Sequence, residues 1–177
     1  MMRATVMRRI KKALWMILEK ILAWCVNPFL RARMLSWFGA TVGKNVRVYE
    51  ARFFNLDRGF KNLTLGDDVH VGPFCRLDLM DRIELGDKCT VSPSVTILTH
   101  SDPGEFHGSE LLEYFPVKSG TVAIGSSSWI GAGSTILCGV VIGDRVAVGA
   151  NSMVNKGIPS DTVAAGVPCR EVRKLST

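Results

Sequence analysis

The chain has 177 residues, enough for one domain with a real core. Hydrophobic residues make up 47% and charged residues 21%, which excludes global disorder. The net charge of +6 is lopsided: residues 1–47 carry ten Lys/Arg and one acid, whereas residues 48–177 carry twelve Lys/Arg and fifteen acids. The basicity belongs to an N-terminal arm, the body is acidic, and no nucleic-acid motif occurs, so nucleic acid is not an expected partner.

The arm comes first. Residues 13–26, "ALWMILEKILAWCV", hold twelve apolar residues out of fourteen, preceded by Arg8, Arg9, Lys11 and Lys12. The run is too short to span a bilayer and carries Glu19 and Lys20 at its centre. It has the basic flank of a signal peptide, but Asn27-Pro28 follows where a small-residue cleavage site would stand. On a helical wheel Arg8, Arg9, Lys12, Glu19, Lys20 and Asn27 share one arc, and the rest is apolar with Trp15 and Trp24 among it. That distribution predicts a helix lying in a membrane interface, the alternative being a helix packed on its own domain or on a sister subunit. A second apolar-basic segment, "FLRARMLSWFGA", runs to Gly39, so the arm is placed at 1–38 and the main domain at 39–177.

The five cysteines (Cys25, Cys75, Cys89, Cys138, Cys169) are odd in number and form no C-x-x-C. Reduced thiols in a cytoplasmic setting fit better than a disulfide framework or a zinc knuckle.

From residue 42 onward the sequence repeats by sixes. Ile124, Ile130, Ile136, Ile142, Val148 and Val154 stand in one phase, most of them followed by Gly. Small or aliphatic residues (Ser128, Ser134, Val140, Val146, Ser152, Ile158) lie four places after each. Earlier runs repeat the pattern: Val42-Gly43 and Val48; Leu65-Gly66, Val71-Gly72, Leu77 and Ile83; Leu85-Gly86, Val91 and Ile97. A period of six is not helical. It describes a short strand with an inward aliphatic and a tight corner, where the glycine is expected to supply turn dihedrals. Three such units close a triangular coil, and stacked coils bury one aliphatic column. Residues 42–165 therefore read as a parallel β-helix. The phase from Ile97 does not carry to Ile124, so residues 99–121 are expected to leave the coil as a projecting loop.

These Ile-Gly hexads, and the segment "WIGAGSTILCGVVIGDRVAVGANSMVNKGIPSDTVAAGVPCREVRK", resemble the hexapeptide-repeat acyltransferases. The pattern is similar to both the maltose/galactoside acetyltransferases and the sugar O-acetyltransferases of surface-polysaccharide pathways. The resemblance covers about residues 39–175. It implies an all-β, left-handed parallel β-helix, an accepted exception to the right-handed crossover rule. It also implies a homotrimer with active sites between subunits, and acetyl-CoA as co-substrate with no metal.

The family's catalytic His stands at the junction of coil and loop, and here that position is His100 in "ILTHSDP". Imidazole titrates in the range needed to take a proton from a sugar hydroxyl. Asp102 is a candidate to orient it, although Ser-Asp-Pro-Gly is also an ordinary turn. His107 reads as solvent or rim, and His70 as an outward coil residue. For the coenzyme, Trp129 matches the family's Trp beside the active site. Ala132 and Ala150 match positions of backbone contact, where a bulky side chain would block the pantetheine arm. Asn155 and Lys156 match a polar pair that is often Thr-Lys in the family. Arg170 and Arg173 match basic residues near the coenzyme's phosphates. One departure stands out. Maltose/galactoside members carry an acceptor-binding Asn upstream of the His, and "HVGPFCRLDLMD" has none. A different acceptor is expected, with Asp78 or Asp81 as candidates to contact sugar hydroxyls.

The expected function is O-acetylation of a sugar or lipid-linked saccharide in surface-polysaccharide biosynthesis, in the cytoplasm and in part on the cytoplasmic face of the membrane. The alternatives are an N-acyltransferase on an amino sugar, a γ-type carbonic anhydrase, whose zinc-binding His pattern His70, His100 and His107 do not match, and a non-catalytic scaffold.

Overall fold

A computed structural model of the protein describes residues 2–175, with the side chains of 2–9, 11 and 12 excepted. Two helices lead into a three-sided, left-handed parallel β-helix of about five turns. The first face stacks Thr41–Val42, Leu63–Leu65, Ile83–Leu85, Val122–Ile124 and Val141–Ile142. The second stacks Arg47–Val48, His70–Val71, Thr90–Val91, Trp129–Ile130, Ala147–Val148 and Thr162–Ala165, closed by an antiparallel last strand, Arg170–Lys174. The third stacks Ala51–Phe54, Cys75–Asp78, Thr96–Ile97, Thr135–Ile136 and Met153–Val154.

The hexad aliphatics stand in register and point inward. Ile83, Leu85, Val91, Ile97, Ile124, Ile130, Ile136 and Val154 are all buried, forming the column that the six-residue period requires. The glycines act differently from expectation. Gly66, Gly86, Gly125 and Gly143 are not among the residues with positive φ; the corners are turned instead by Asn45, Asp68, Lys88, Ser127 and Arg145. Glycine is needed because the next coil passes too close: a Cβ on Gly125 would lie 2.5 Å from Asp144 Oδ1. That carboxylate accepts the Ser126 N–H at 2.7 Å, and Asp87 does the same for Asp67 N–H at 2.8 Å. The Gly-Asp pairs thus stitch coil to coil at one corner. Buried Ser128 and Ser134 also bond between coils, donating to the carbonyls of Gly143 and Gly149.

Helix α1 spans Met2–Trp24 and helix α2 Pro28–Trp37. Asn27 separates them: its Oδ1 accepts the N–H groups of Phe29 and Leu30 at 3.0 Å, and Pro28 begins the helix where its missing N–H costs nothing. Both helices share the core of the coil, through Trp15, Leu18 and Leu22 of α1 and Ala32 and Leu35 of α2. The Trp15 and Phe60 rings meet nearly at right angles, with centroids 5.8 Å apart. Glu19, placed by its wheel position on the water-facing arc, turns inward, because its carboxylate finds Arg52 Nε at 2.7 Å. Arg31 is buried and fastens α1 to the coil: Nε donates to Leu22 O at 2.9 Å, Nη2 to the carbonyls of Ala23 and Cys25, and Nη1 to Val48 O. On the other side of α1, Ile10, Leu14, Ile17, Ile21 and Trp24 remain exposed. Arg8, Arg9, Lys11 and Lys12 carry side chains outside the described residues. Among the described residues, no helix is long and apolar enough to cross a membrane.

Candidate active site

His100 stands where the third face ends and the loop departs. The loop is pinned at its neck by a short antiparallel pair, His100 opposite Ser119 and Ser101 opposite Lys118. Thr99 O accepts the N–H of Gly120 at 2.9 Å where the chain returns. Two short 3₁₀ turns, Glu105–His107 and Glu110–Glu113, make up the body of the loop, which exposes Phe106, Leu111, Tyr114 and Phe115.

The group that orients the imidazole is Asp78. Its Oδ2 lies 2.5 Å from His100 Nδ1 and also accepts the backbone N–H of Thr99 (3.0 Å) and of His100 (3.1 Å). Its Oδ1 accepts Asn55 Nδ2 at 2.8 Å and Met80 N–H at 3.1 Å. Thr99 closes the corner by donating its hydroxyl to Asp78 O and accepting the N–H of Asp81, each at 2.9 Å. Burial pushes the Asp78 carboxyl up, but the bonds from His100, Asn55, Met80 and Thr99 outweigh it and hold the carboxyl below its usual value. An ionised acceptor at Nδ1 fixes the proton there and leaves Nε2 with its lone pair. Nε2 takes no hydrogen bond among the described residues, and the side chain is 23% exposed. The arrangement is a base with its second nitrogen open and its first nitrogen locked on a buried carboxylate.

Two expectations need correction. Asp78 is fully buried with both oxygens occupied, so it presents nothing to a sugar hydroxyl. Asp102 does not orient His100: its Oδ1 is taken by the N–H groups of Gly104 and Glu105, both at 2.7 Å, in a local turn. Asp81 sits on the Asp78–His100 corner, half-buried, with Oδ1 accepting the N–H of Arg82 at 2.7 Å. The sequence did not mark Asn55, which lies one coil above Asp78 and anchors it. Its positive φ of 57° and corner position are the only signals it carries.

The remaining candidate residues fall on two edges of the prism. Asn155 and Lys156 follow Met153–Val154 on the edge that His100 occupies, and both are exposed. Arg170 Nη1 approaches Asn155 Oδ1 at 3.5 Å and donates to Cys169 O at 2.7 Å, while Arg173 lies exposed on the last strand. Ala132 and Ala150 are exposed on the opposite edge of the third face, one coil apart, with Asn151 N–H donating to Ala132 O at 2.8 Å. Trp129 projects from the second face and its Nε1 donates to Ser92 Oγ at 2.8 Å. Asn155 and Lys156 are thus separated from Ala132 and Ala150 by the width of the third face, while Arg170 and Arg173 stand on the strand that closes the second face, opposite Ala165 and Val163. His70 lies on the second face against Tyr49 (centroids 5.2 Å) and His107 in the exposed loop, so neither accompanies His100. Among the described residues no group of three or more His, Cys, Asp or Glu side chains could hold a metal ion.

Residues 121–156 match the family profile described as bacterial transferase hexapeptide (six repeats). The galactoside O-acetyltransferase of Escherichia coli (strain K12) is 32% identical over 152 residues, which is 82% of this chain and 69% of that protein. A protein assigned as the colanic acid biosynthesis acetyltransferase WcaF of the same strain is 32% identical over 162 residues, 90% of this chain and 84% of that protein. Among solved structures, a point mutant of AntD, an N-acyltransferase from Bacillus cereus, in complex with dTDP and coenzyme A, superimposes with a TM-score of 0.65 at 28% identity, covering 78% of this chain and 74% of that one. A three-sided coil presenting an oriented imidazole defines the class, and the chain belongs to the hexapeptide-repeat family of bacterial acetyltransferases.

Proposed function

We propose that the protein transfers an acetyl group from acetyl-CoA to a hydroxyl of a saccharide acceptor in the synthesis of a surface polysaccharide. The observation that carries this reading is the His100–Asp78 pair, held at 2.5 Å on a rigid corner with Nε2 free. Nε2 takes the proton of the sugar hydroxyl as the oxygen attacks the thioester carbonyl, and returns it to the departing CoA sulfur when the tetrahedral intermediate collapses. Asp78 is a positioning residue: it fixes the tautomer and stabilises the imidazolium formed between the two steps. Similarity to an O-acetyltransferase of galactosides and to a colanic acid acetyltransferase supports a saccharide hydroxyl as acceptor.

The coenzyme reading joins the two edges. Small residues at Ala132 and Ala150 leave room for a narrow chain, and Trp129 flanks them. Asn155, Lys156, Arg170 and Arg173 offer polar and cationic contacts suited to phosphates. Because one chain puts His100, Asn155 and Lys156 on one edge and Ala132 and Ala150 on another, a groove between neighbouring copies would bring one chain's His100 edge to the next chain's alanine edge, and a homotrimer supplies three such grooves. The exposed face of α1 (Ile10, Leu14, Ile17, Ile21, Trp24) serves as the contact with an anionic cytoplasmic membrane surface.

The central test is release of free CoA in the presence of saccharide acceptors. His100→Ala should lower kcat by about two to four powers of ten, the range for a lost acid–base group. Near-normal turnover in that variant would reject His100 as the base. Acetylation of amino sugars alone would transfer the reading to N-acyltransfer. For the arm, Ile17→Glu with Ile21→Glu should abolish sedimentation with anionic vesicles; retained sedimentation would reject the membrane contact.

A further inference from the structure

The face that ends at His100 carries a feature that attack by a neutral sugar does not use. Its outward positions on adjacent upper coils are Arg52 and Arg76, paired Cα to Cα in the parallel ladder. Neighbouring strands stand about 4.8 Å apart, and like charges directly side by side are unfavourable. The first arginine is neutralised, since Arg52 Nε meets Glu19 Oε1 at 2.7 Å. The second is not. Among the described residues Arg76 has no ion pair, and its guanidinium lies over the Phe54 ring, 5.9 Å from the centroid. Arg76 stands on the strand of Asp78, and Phe54 is the register partner of Asp78, so this cation is held against the coil above Asp78, two coils above the one that leads to His100. Above it again, between α1 and the coil, a pocket of about 310 Å³ is lined in part by Met16, Lys20, Arg52, Phe54 and Asn55. The two carboxylates along this path are both engaged: Glu19 with Arg52 and Asp78 with His100. Arg76 is therefore a cation without an ion pair on this face among the described residues, while Asp102, exposed in the loop, places a negative charge near His100.

We propose that this face binds the phosphate of a sugar phosphate or sugar diphosphate acceptor. Arg76 grips the phosphate, Lys20 extends the site toward α1, and the sugar reaches down to Nε2 of His100. Two coil spacings, about 10 Å, are on the scale of a sugar ring with its phosphate, which suits a phosphate at one end and a reacting hydroxyl at the other. A guanidinium pre-set on an aromatic ring presents its fork to a phosphate with little further loss of freedom. The inference rests on the acetyl-transfer reading above and names its substrate class. The phosphate can come from a nucleotide-linked, a lipid-linked or a free sugar phosphate.

The test uses the full chain saturated with CoA, so that the coenzyme's own phosphate contacts are filled. Inorganic pyrophosphate, titrated by calorimetry, should bind the wild type. It should bind Arg76→Gln about tenfold to a hundredfold more weakly, the worth of hydrogen bonds to a charged group, and Arg76→Lys at an intermediate level. CoA affinity, measured first, should be unchanged in both variants. If CoA does not bind the wild type, the acetyl-transfer reading and this inference fall together. If CoA binds but pyrophosphate does not, or binds Arg76→Gln as well as the wild type, the phosphate subsite alone is overturned. Uridine diphosphate and farnesyl diphosphate then identify the source. Tighter binding of the first supports a nucleotide-linked acceptor, tighter binding of the second a lipid-linked one, and affinities equal to pyrophosphate a free sugar phosphate.

Discussion

Replacing Asp78 by Asn keeps the shape of the side chain and removes its charge. The carboxylate accepts from donors on both oxygens: Asn55 Nδ2 and Met80 N–H on Oδ1, and Thr99 N–H, His100 N–H and His100 Nδ1 on Oδ2. An amide has one oxygen. If that oxygen faces His100, its NH₂ confronts two donors; if it faces Asn55, the NH₂ confronts Nδ1 and drives the imidazole to the tautomer with its proton on Nε2, which cannot act as the base. In either orientation the developing imidazolium loses its counter-charge. Two unit charges about 4 Å apart are worth about 4 kcal/mol at an effective dielectric near 20. At 1.36 kcal/mol per decade this predicts a fall in kcat of about a hundredfold to a thousandfold. The KM for acetyl-CoA should not move, because Asp78 is buried and its hydrogen bonds go to none of the residues assigned to the coenzyme. The assay is steady-state release of CoA, paired with nitrogen-15 spectra of the imidazole to locate its proton. A variant with wild-type kcat, or one in which the Nδ1 proton is lost without loss of turnover, would refute the assigned role.

The same carboxylate should contribute to acid stability. Its folded value is depressed, so its contribution is complete above the unfolded value of about 3.9 and is lost as pH falls through the lower folded value. The difference in thermal midpoint between wild type and Asp78→Asn should accordingly narrow below about pH 4. Burial raises the thiols of Cys75 and Cys89 to about 11 and about 12, and Cys169 is buried as well. Alkylation in native buffer should mark Cys25 and Cys138 first, and rapid modification of Cys89 would contradict its place in the core. Arg31→Met should cost about 2–4 kcal/mol in denaturant unfolding, since it strands carbonyls near the end of α1 that Arg31 now satisfies. An unchanged midpoint would show that α1 docks without that contact.

The β-helix was legible because its chemistry is periodic. Each coil must place an aliphatic residue inside at the same point, and the sequence repeats that demand from Val42 to Val154. The loop was legible as a break in phase. The role of the glycines was misread because a corner glycine can be required by its dihedrals or by its neighbours. Only the approach of the next coil, as Asp144 comes against Gly125, decides between them. The arm was half legible. A helical wheel gives the arc of each residue but not which arc meets the body, and Glu19 went inward because Arg52, thirty-three residues later, waits there.

The candidate base is named through the family resemblance at the coil–loop junction, whereas the group that orients it is not legible in the sequence. Asp102 is two residues from His100 in sequence, and Asp78 is twenty-two residues away, yet one coil of the β-helix brings Asp78 directly above. In a solenoid, residues about one coil apart in sequence are neighbours in space, and the coil length varies with each corner insertion. Leu79, Met80 and Asp81 extend the turn after Cys75–Asp78, and that extension lets the Met80 N–H reach back to Oδ1. The same register links Arg52 to Arg76 and Phe54 to Asp78, so the two arginines and the carboxylate that holds His100 are set by one ladder. A residue inserted between Phe54 and Asp78 would move both at once. Functional residues in this fold are therefore to be sought along the stacked columns at each edge, not among near neighbours in sequence.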